Sequence, residues 1–241
     1  MNLVNLLYNK QDRIVLGGRR NTLGKNLLAP AAMFLILAGA VWSGPDNSFA
    51  LLPAVAKTTD ALEPNYVDKL SHRVAWRKFP VNVYFILDSN YSESREQFAR
   101  HGFNRWVIAT DGLLDYVVTD DVDEANITVR FEPRTDNGYT QTRFVDKRLR
   151  RADIIVGIRQ GSQTDVEAIA AHEFGHAMGI DGHSDNKRDL MYPVHRAGAP
   201  GRITDRDLNT MASRYPVLAK LLAERYDERD NQPGERRGAA R

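Results

Sequence analysis

The sequence predicts an α+β domain, on three observations. Apolar and β-branched runs that read as strands alternate with segments of helical period. No internal repeat or long low-complexity linker divides them. The 241 residues are 42% hydrophobic, enough to bury one core of ordinary size. There is no cysteine, which excludes disulfides, thiolate metal sites and a thiol nucleophile. Any metal must then rest on His, Asp or Glu.

The elements follow in order. Asn26 to Pro45 carries no charge, follows Arg19, Arg20 and Lys25, and precedes the small-residue run Ser48-Phe49-Ala50. Residues 1–50 therefore read as an export signal, or, if uncleaved, as a membrane anchor. They hold a net charge of +3 against +2 for the whole chain, which leaves −1 for the remainder. The basic balance thus belongs to the leader and gives the rest no general affinity for nucleic acid. Residues 51–78 read as a variable segment. Val81 to Leu87 is a strand. Ser92 opens a helix that ends near Thr110, with Phe98, Gly102 and Trp106 on one face. Ile127, Val129 and Phe131 alternate with polar neighbours as in a half-buried strand. Further strands are expected at Tyr139–Phe144 and Ala152–Ile158, with Lys147, Arg148, Arg150 and Arg151 on a solvated loop between them. Past Pro216, an amphipathic piece from Val217 to Tyr226 precedes a polar tail expected to be disordered.

Thr164 to Gly179 announces a helix with both ends marked. Thr164 and Glu167 have capping-box spacing, and Gly179 suits a left-handed C-terminal cap. Between them the helix is apolar on nearly every side, so it is expected to be buried. His172 and His176 stand one turn apart and face the same way, the spacing with which two imidazoles grip one ion. Glu173 lies about 100° round the helix, within reach of a metal's water without being a ligand. Two histidines and a glutamate buried together without a metal would be costly.

The run from His172 to Ser184, with Gly179 three residues after His176, a further histidine at His183, and Met191-Tyr192-Pro193 beyond, resembles the metzincin clan of zinc endopeptidases and, within it, the matrixins. The resemblance covers about residues 79–216. It implies a twisted mixed sheet with a buried active-site helix and a C-terminal helix. It also implies one catalytic zinc on His172, His176 and His183, Glu173 as general base, and Met191 as the Met-turn residue beneath the metal. Gly138, Tyr139 and Thr140 on an edge strand, with Tyr192 and Pro193, would contact a protein or peptide substrate. Thr204 and Asp207 would cap the closing helix. One position departs from the pattern: the family's third ligand falls on Gly182, so His183 requires a turn one residue longer, and Asp181 is the alternative ligand. A cysteine switch is excluded, and no histidine between His101 and His172 could serve a second, structural zinc. Calcium is compatible with the resemblance, although no calcium ligand set is readable.

His72, His101 and His195 lack ligand spacing and read as ordinary histidines. The function expected is an exported, monomeric zinc endopeptidase without a nucleic-acid partner, touching membrane only through its leader. A zinc endoribonuclease-like hydrolase and a zinc-bound, non-catalytic binding domain are the alternatives.

Overall fold

A computed structural model describes residues 62–159 and 161–231; the leader and residues 232–241 lie outside the described residues. Five strands, β1 (Val81–Phe85), β2 (Tyr116–Val118), β3 (Ile127–Glu132), β4 (Tyr139–Val145) and β5 (Arg148–Gly157), form one sheet in the order β2-β1-β3-β5-β4. All neighbours are parallel except β4, which runs antiparallel to β5 at the edge. Among the described residues four α-helices accompany the sheet: α1 (Glu93–Ala109), α2 (Gln163–Ala177), α3 (Asp205–Ala212) and α4 (Pro216–Asn231). The architecture is the expected α+β arrangement on a mixed sheet.

Burial differs from expectation where the topology demands it. β3 is central, paired with β1 and β5, and Thr128 is buried along with Ile127, Val129 and Phe131. The exception is local: Thr128 is covered by its hydrogen bond to Asp153 on β5 at 2.6 Å, while Arg130 on the same face stays exposed, as the alternation implies. β2 escaped notice because it is three residues long and two of them are exposed. The basic run is no loop. Asp146 and Lys147 adopt φ of 50° and 62° as a two-residue hairpin turn, and β5 begins at once with Arg148.

α1 is capped by Ser92, whose hydroxyl accepts from Arg95 N–H at 3.3 Å. Its buried face is Ala99, Gly102, Phe103 and Trp106, with Phe98 only partly covered. Phe103 stacks on Phe174 of α2 at 4.4 Å between centroids, and Trp106 Nε1 donates to Ala171 O at 2.8 Å. Together these contacts fix α2 against α1. The N-cap of α2 is Ser162 and not Thr164: the helix begins two residues earlier, Ser162 Oγ accepts from Asp165 N–H, and Glu167 is taken up by Arg105 of α1 at 2.7 Å. At the other end Gly179 has φ 112°, its N–H reaches His176 O at 2.9 Å, and Ile180 N–H reaches Gly175 O at 3.1 Å. That pairing is a Schellman motif. The next carbonyls are also satisfied, Ala177 O by Trp76 Nε1 at 2.9 Å and Met178 O by Tyr215 Oη at 2.7 Å.

Residues ahead of β1 belong to the same core. Tyr66, Val74 and Trp76 are buried, and Ala75 bonds along the start of β5 through Leu149 N–H at 2.9 Å. At the C-terminal side, α3 opens with a Thr204–Asp207 capping box. α4 continues past Tyr226 to Asn231, so this stretch is helix and not tail. Its Arg225 donates to Ala109 O at 3.0 Å, and Tyr226 Oη donates to Asn209 at 2.8 Å.

Asp207 joins these parts. Fully buried, it accepts from Leu190 N–H (2.9 Å), Met191 N–H (3.3 Å), Thr204 N–H (2.9 Å) and Tyr66 Oη (2.8 Å). Asp207→Ala strands these donors in a dry interior and is expected to cost about 3 kcal/mol or more, whereas Tyr66→Phe should cost about 1–2 kcal/mol, both measured by urea unfolding. Equal stability of Asp207→Ala and the parent would refute the assignment of this hub.

Candidate metal and catalytic site

α2 carries His172 and His176 into a cleft of about 440 Å³ bounded on its far side by β4. Their Nε2 atoms lie 3.1 Å apart, and His183 Nε2 lies 3.2 Å from that of His176. One ligand atom from each of the three falls within 4.8 Å of the others. Two backbone carbonyls orient the half-buried helical pair: His172 Nδ1 meets Leu190 O at 2.8 Å, and His176 Nδ1 meets Ile180 O at 2.5 Å. Burial pulls the pKa of His172 down to about 4 and that of His176 to about 3, and it lowers His183 as well. Near neutral pH these rings are uncharged.

The tautomer follows. With Nδ1–H donated to a carbonyl, each Nε2 of the pair presents a lone pair, and two lone pairs face each other at 3.1 Å. Such an approach is repulsive unless a cation sits between them. Three neutral imidazoles, two of them with their second nitrogens tied to backbone carbonyls, form a donor set suited to zinc.

The position of His183 has a local cause. Gly182 packs so closely on Lys69 O that a Cβ there would collide with it, so this residue of the turn can hold no side chain. Asp181, the alternative ligand, borders the cleft but bonds His72 Nδ1 at 2.8 Å. His183 is the side chain that the turn delivers to the other two.

Glu173 is 4% exposed, and burial pushes its carboxyl up to about 7 against the opposing pull of a hydrogen bond from Thr140. Thr140 Oγ1 lies 2.7 Å from Glu173 Oε2 and 3.1 Å from Glu173 O. Gly138 lies against the same carboxylate, where a Cβ would clash with its Cγ and Oε1. The edge strand therefore shapes the site of the acid as well as facing the cleft. The Thr140–Glu173 contact was not readable from the sequence, because the two residues lie 33 positions apart and only the order of strands in the sheet sets β4 against α2.

The remaining expected site residues separate into groups. Gly138, Tyr139, Thr140 and Pro193 line the cleft with the histidines, while Tyr192 lines a neighbouring cavity. Met191 is fully buried, with its sulfur against Gly175, the residue of α2 that precedes His176. His195, read from sequence as ordinary, borders the cleft and bonds Asp165 at 2.8 Å. His101 approaches Glu167 at 3.2 Å, outside the cleft lining.

Against known proteins, the matrixin family model matches residues 151–216, which hold α2, all three imidazoles, Glu173 and Met191. The chain is matrixin-like over these residues. A curated relative, stromelysin-2 of Rattus norvegicus, is 42% identical over 57 residues, which is 22% of this chain and 12% of that protein. The chain thus spans a small part of that relative's length. The matrixin-like segment contains neither β4 nor residues 62–78, which nonetheless contribute Thr140 and the Lys69 carbonyl to the site.

The ionisation of Glu173 has a measurable signature. A buried acid with a raised pKa stabilises the fold below its unfolded pKa and loses that contribution as pH rises through its folded value. In chelator-treated protein, Glu173→Gln is expected to remove a loss of stability between about pH 4.5 and 7, worth roughly 3 kcal/mol. The His172–His176 pair acts with opposite sign, present above about pH 6.5 and lost as pH falls towards 4 and 3. Urea titrations at stepped pH read both; identical curves for parent and Glu173→Gln would contradict the burial of the acid.

Proposed function

We propose that this chain is an exported zinc endopeptidase acting as a monomer on protein or peptide substrates. The observation that carries the reading is the convergence of three imidazole nitrogens at one point with a buried carboxyl of pKa about 7 beside them. His172, His176 and His183 would hold the ion. Residues 79–216 would form the peptidase domain, behind a signal or anchor at 1–50 and a variable segment at 51–78, with a helix and tail at 217–241. Among the described residues no helix is long and apolar enough to cross a membrane, so the leader pattern alone supports export.

When bound, zinc supplies Lewis acidity, which polarises the scissile carbonyl and brings the pKa of a water towards 7. The chain's own groups do the rest. Glu173 takes the proton as the nucleophile forms and returns it to the departing amine, a double task suited to a carboxyl that titrates near neutrality. Thr140 holds the Glu173 carboxylate in place. The Leu190 and Ile180 carbonyls keep the two helical imidazoles in the ligating tautomer. The exposed edge of β4 offers backbone groups on which an extended peptide can add as a strand, and Tyr139 and Pro193 flank its path.

Glu173→Ala is expected to retain one zinc per chain by atomic emission and to lose caseinolysis altogether. His183→Ala should lower zinc occupancy under mild chelation. Parallel incubations with casein and with RNA, with and without chelator, test the reaction class. Undiminished caseinolysis by Glu173→Ala, or chelator-sensitive breakdown of RNA alone, would defeat the proposal.

A further inference from the structure

A second cavity of about 430 Å³ adjoins the cleft and shares His172 and His195 with it. The segment between them contributes Pro193 to the cleft and Tyr192 and Val194 to the second cavity, so this segment is the wall that separates the two. Inside, the cavity has the apolar surfaces of Ala168, Leu190 and Pro200. Four cations surround them: Lys187, Arg188, Arg196 and Arg202, all exposed. No hydrogen bond or ion pair engages any of their side chains among the described residues. The one carboxylate in the lining, Asp189, is buried and turned away, accepting from Ser184, from Thr204 at 2.9 Å and from Arg206 at 3.0 Å. Residues 51–241 carry a net charge of −1, so this concentration of unpaired positive charge is local and does not follow from composition.

We propose that this cavity receives an acidic substrate side chain, Asp or Glu, from a residue beside the scissile bond, with Lys187, Arg188, Arg196 and Arg202 as the specificity-determining residues. The inference rests on the peptidase reading above and names its substrate class. The chemistry is that of an amphipathic guest. The methylenes of a glutamate fit the Ala168 and Leu190 surfaces while its carboxylate meets the cations at the rim. One exposed ion pair changes an equilibrium by roughly 1.5- to 5-fold, but here several cations act on one anion beside an apolar wall, where solvent screens less. A nucleic acid or an anionic membrane fits less well, because the cations ring a concavity that opens on His172 and do not form an extended track.

The test uses the zinc-loaded full chain and one peptide series that varies a single residue at each side of the cleaved bond among Glu, Asp, Gln and Lys. At one position, Glu should exceed Gln by about tenfold in kcat/KM at low ionic strength, with the ratio falling as salt rises. In the double variant R188E/R202E the Glu-to-Gln ratio should drop below one and the Lys-to-Gln ratio should rise. Uncleaved Glu and Lys peptides titrated against Glu173→Ala by fluorescence anisotropy should show the same order of affinity and the same inversion. Should the inverted variant fail to fold by circular dichroism, the neutral pair R188Q/R202Q takes its place and should bring the Glu-to-Gln ratio close to one. Cleavage without preference for acidic residues overturns this inference and leaves the peptidase reading standing. Absence of cleavage of any peptide, with the acidic preference kept in binding, defeats the peptidase reading and not the pocket. Loss of RNA or anionic-vesicle binding in R188E/R202E, with peptide selectivity unchanged, also overturns it.

Discussion

Two backbone carbonyls, Leu190 O and Ile180 O, are the constraint on which the site depends. They fix the protons of His172 and His176 on Nδ1 and so aim two lone pairs at one point. A helix can place two histidines a turn apart without outside help, but it cannot choose their tautomers. That choice requires chain from outside α2 to arrive at set positions, and much of the C-terminal half is arranged to bring it there. Ile180 is placed by the Schellman turn at the end of α2 itself. Leu190 is placed by Asp207, which also binds Met191, the start of α3 and Tyr66. The charge that would otherwise be isolated inside the protein is thereby spread over several donors.

Burying α2 almost completely has a consequence for its polar groups. Each must find a partner within the fold or become a liability. Glu167 and Asp165 are answered by Arg105 and His195 respectively. Glu173 is answered by a single hydroxyl from the edge strand, and its pKa rises accordingly. The under-solvated acid and the two facing lone pairs are the costly features of the helix, and they lie side by side in one cleft. A fold selected for stability alone would have no reason to retain both.

How much of this could be read from the sequence varied with the range of the interactions involved. The histidine spacing, the Gly179 cap and the Thr204–Asp207 box are set by near neighbours, and each was legible. Ser162 was missed as the cap of α2 because Ser162–Asp165 and Thr164–Glu167 offer the same capping spacing two residues apart, and the engagement of Glu167 by Arg105 of another helix is not visible in either. The basic run at 147–151 looked like a loop since a two-residue hairpin leaves almost no turn signal between two strands. The end of α4 was placed too early because charged residues such as Glu228 and Arg229 satisfy helix and disorder patterns alike, and contacts made by Arg225 and Tyr226 decide between them. The link from Thr140 to Glu173 spans 33 positions and depends on sheet order.

The extra residue in the turn before His183 shows how distant chain corrects a local irregularity. A longer turn has more conformations available, and a ligand placed on it would lose positional definition unless something held the turn. Residues 66–72 supply that brace. Lys69 O fills the space against Gly182, His72 bonds Asp181, and Tyr66 anchors the same segment to Asp207. The segment before β1 thus supports the third imidazole from one side while Asp207 supports the Leu190 carbonyl from the other. Glycine at position 182 is required for that brace, because any side chain there would push the turn off Lys69 and carry His183 away from its partners. The departure from the family spacing and the packing of the N-terminal segment are therefore one structural feature, in which a length change in the turn is absorbed by chain that lies outside the matrixin-like residues.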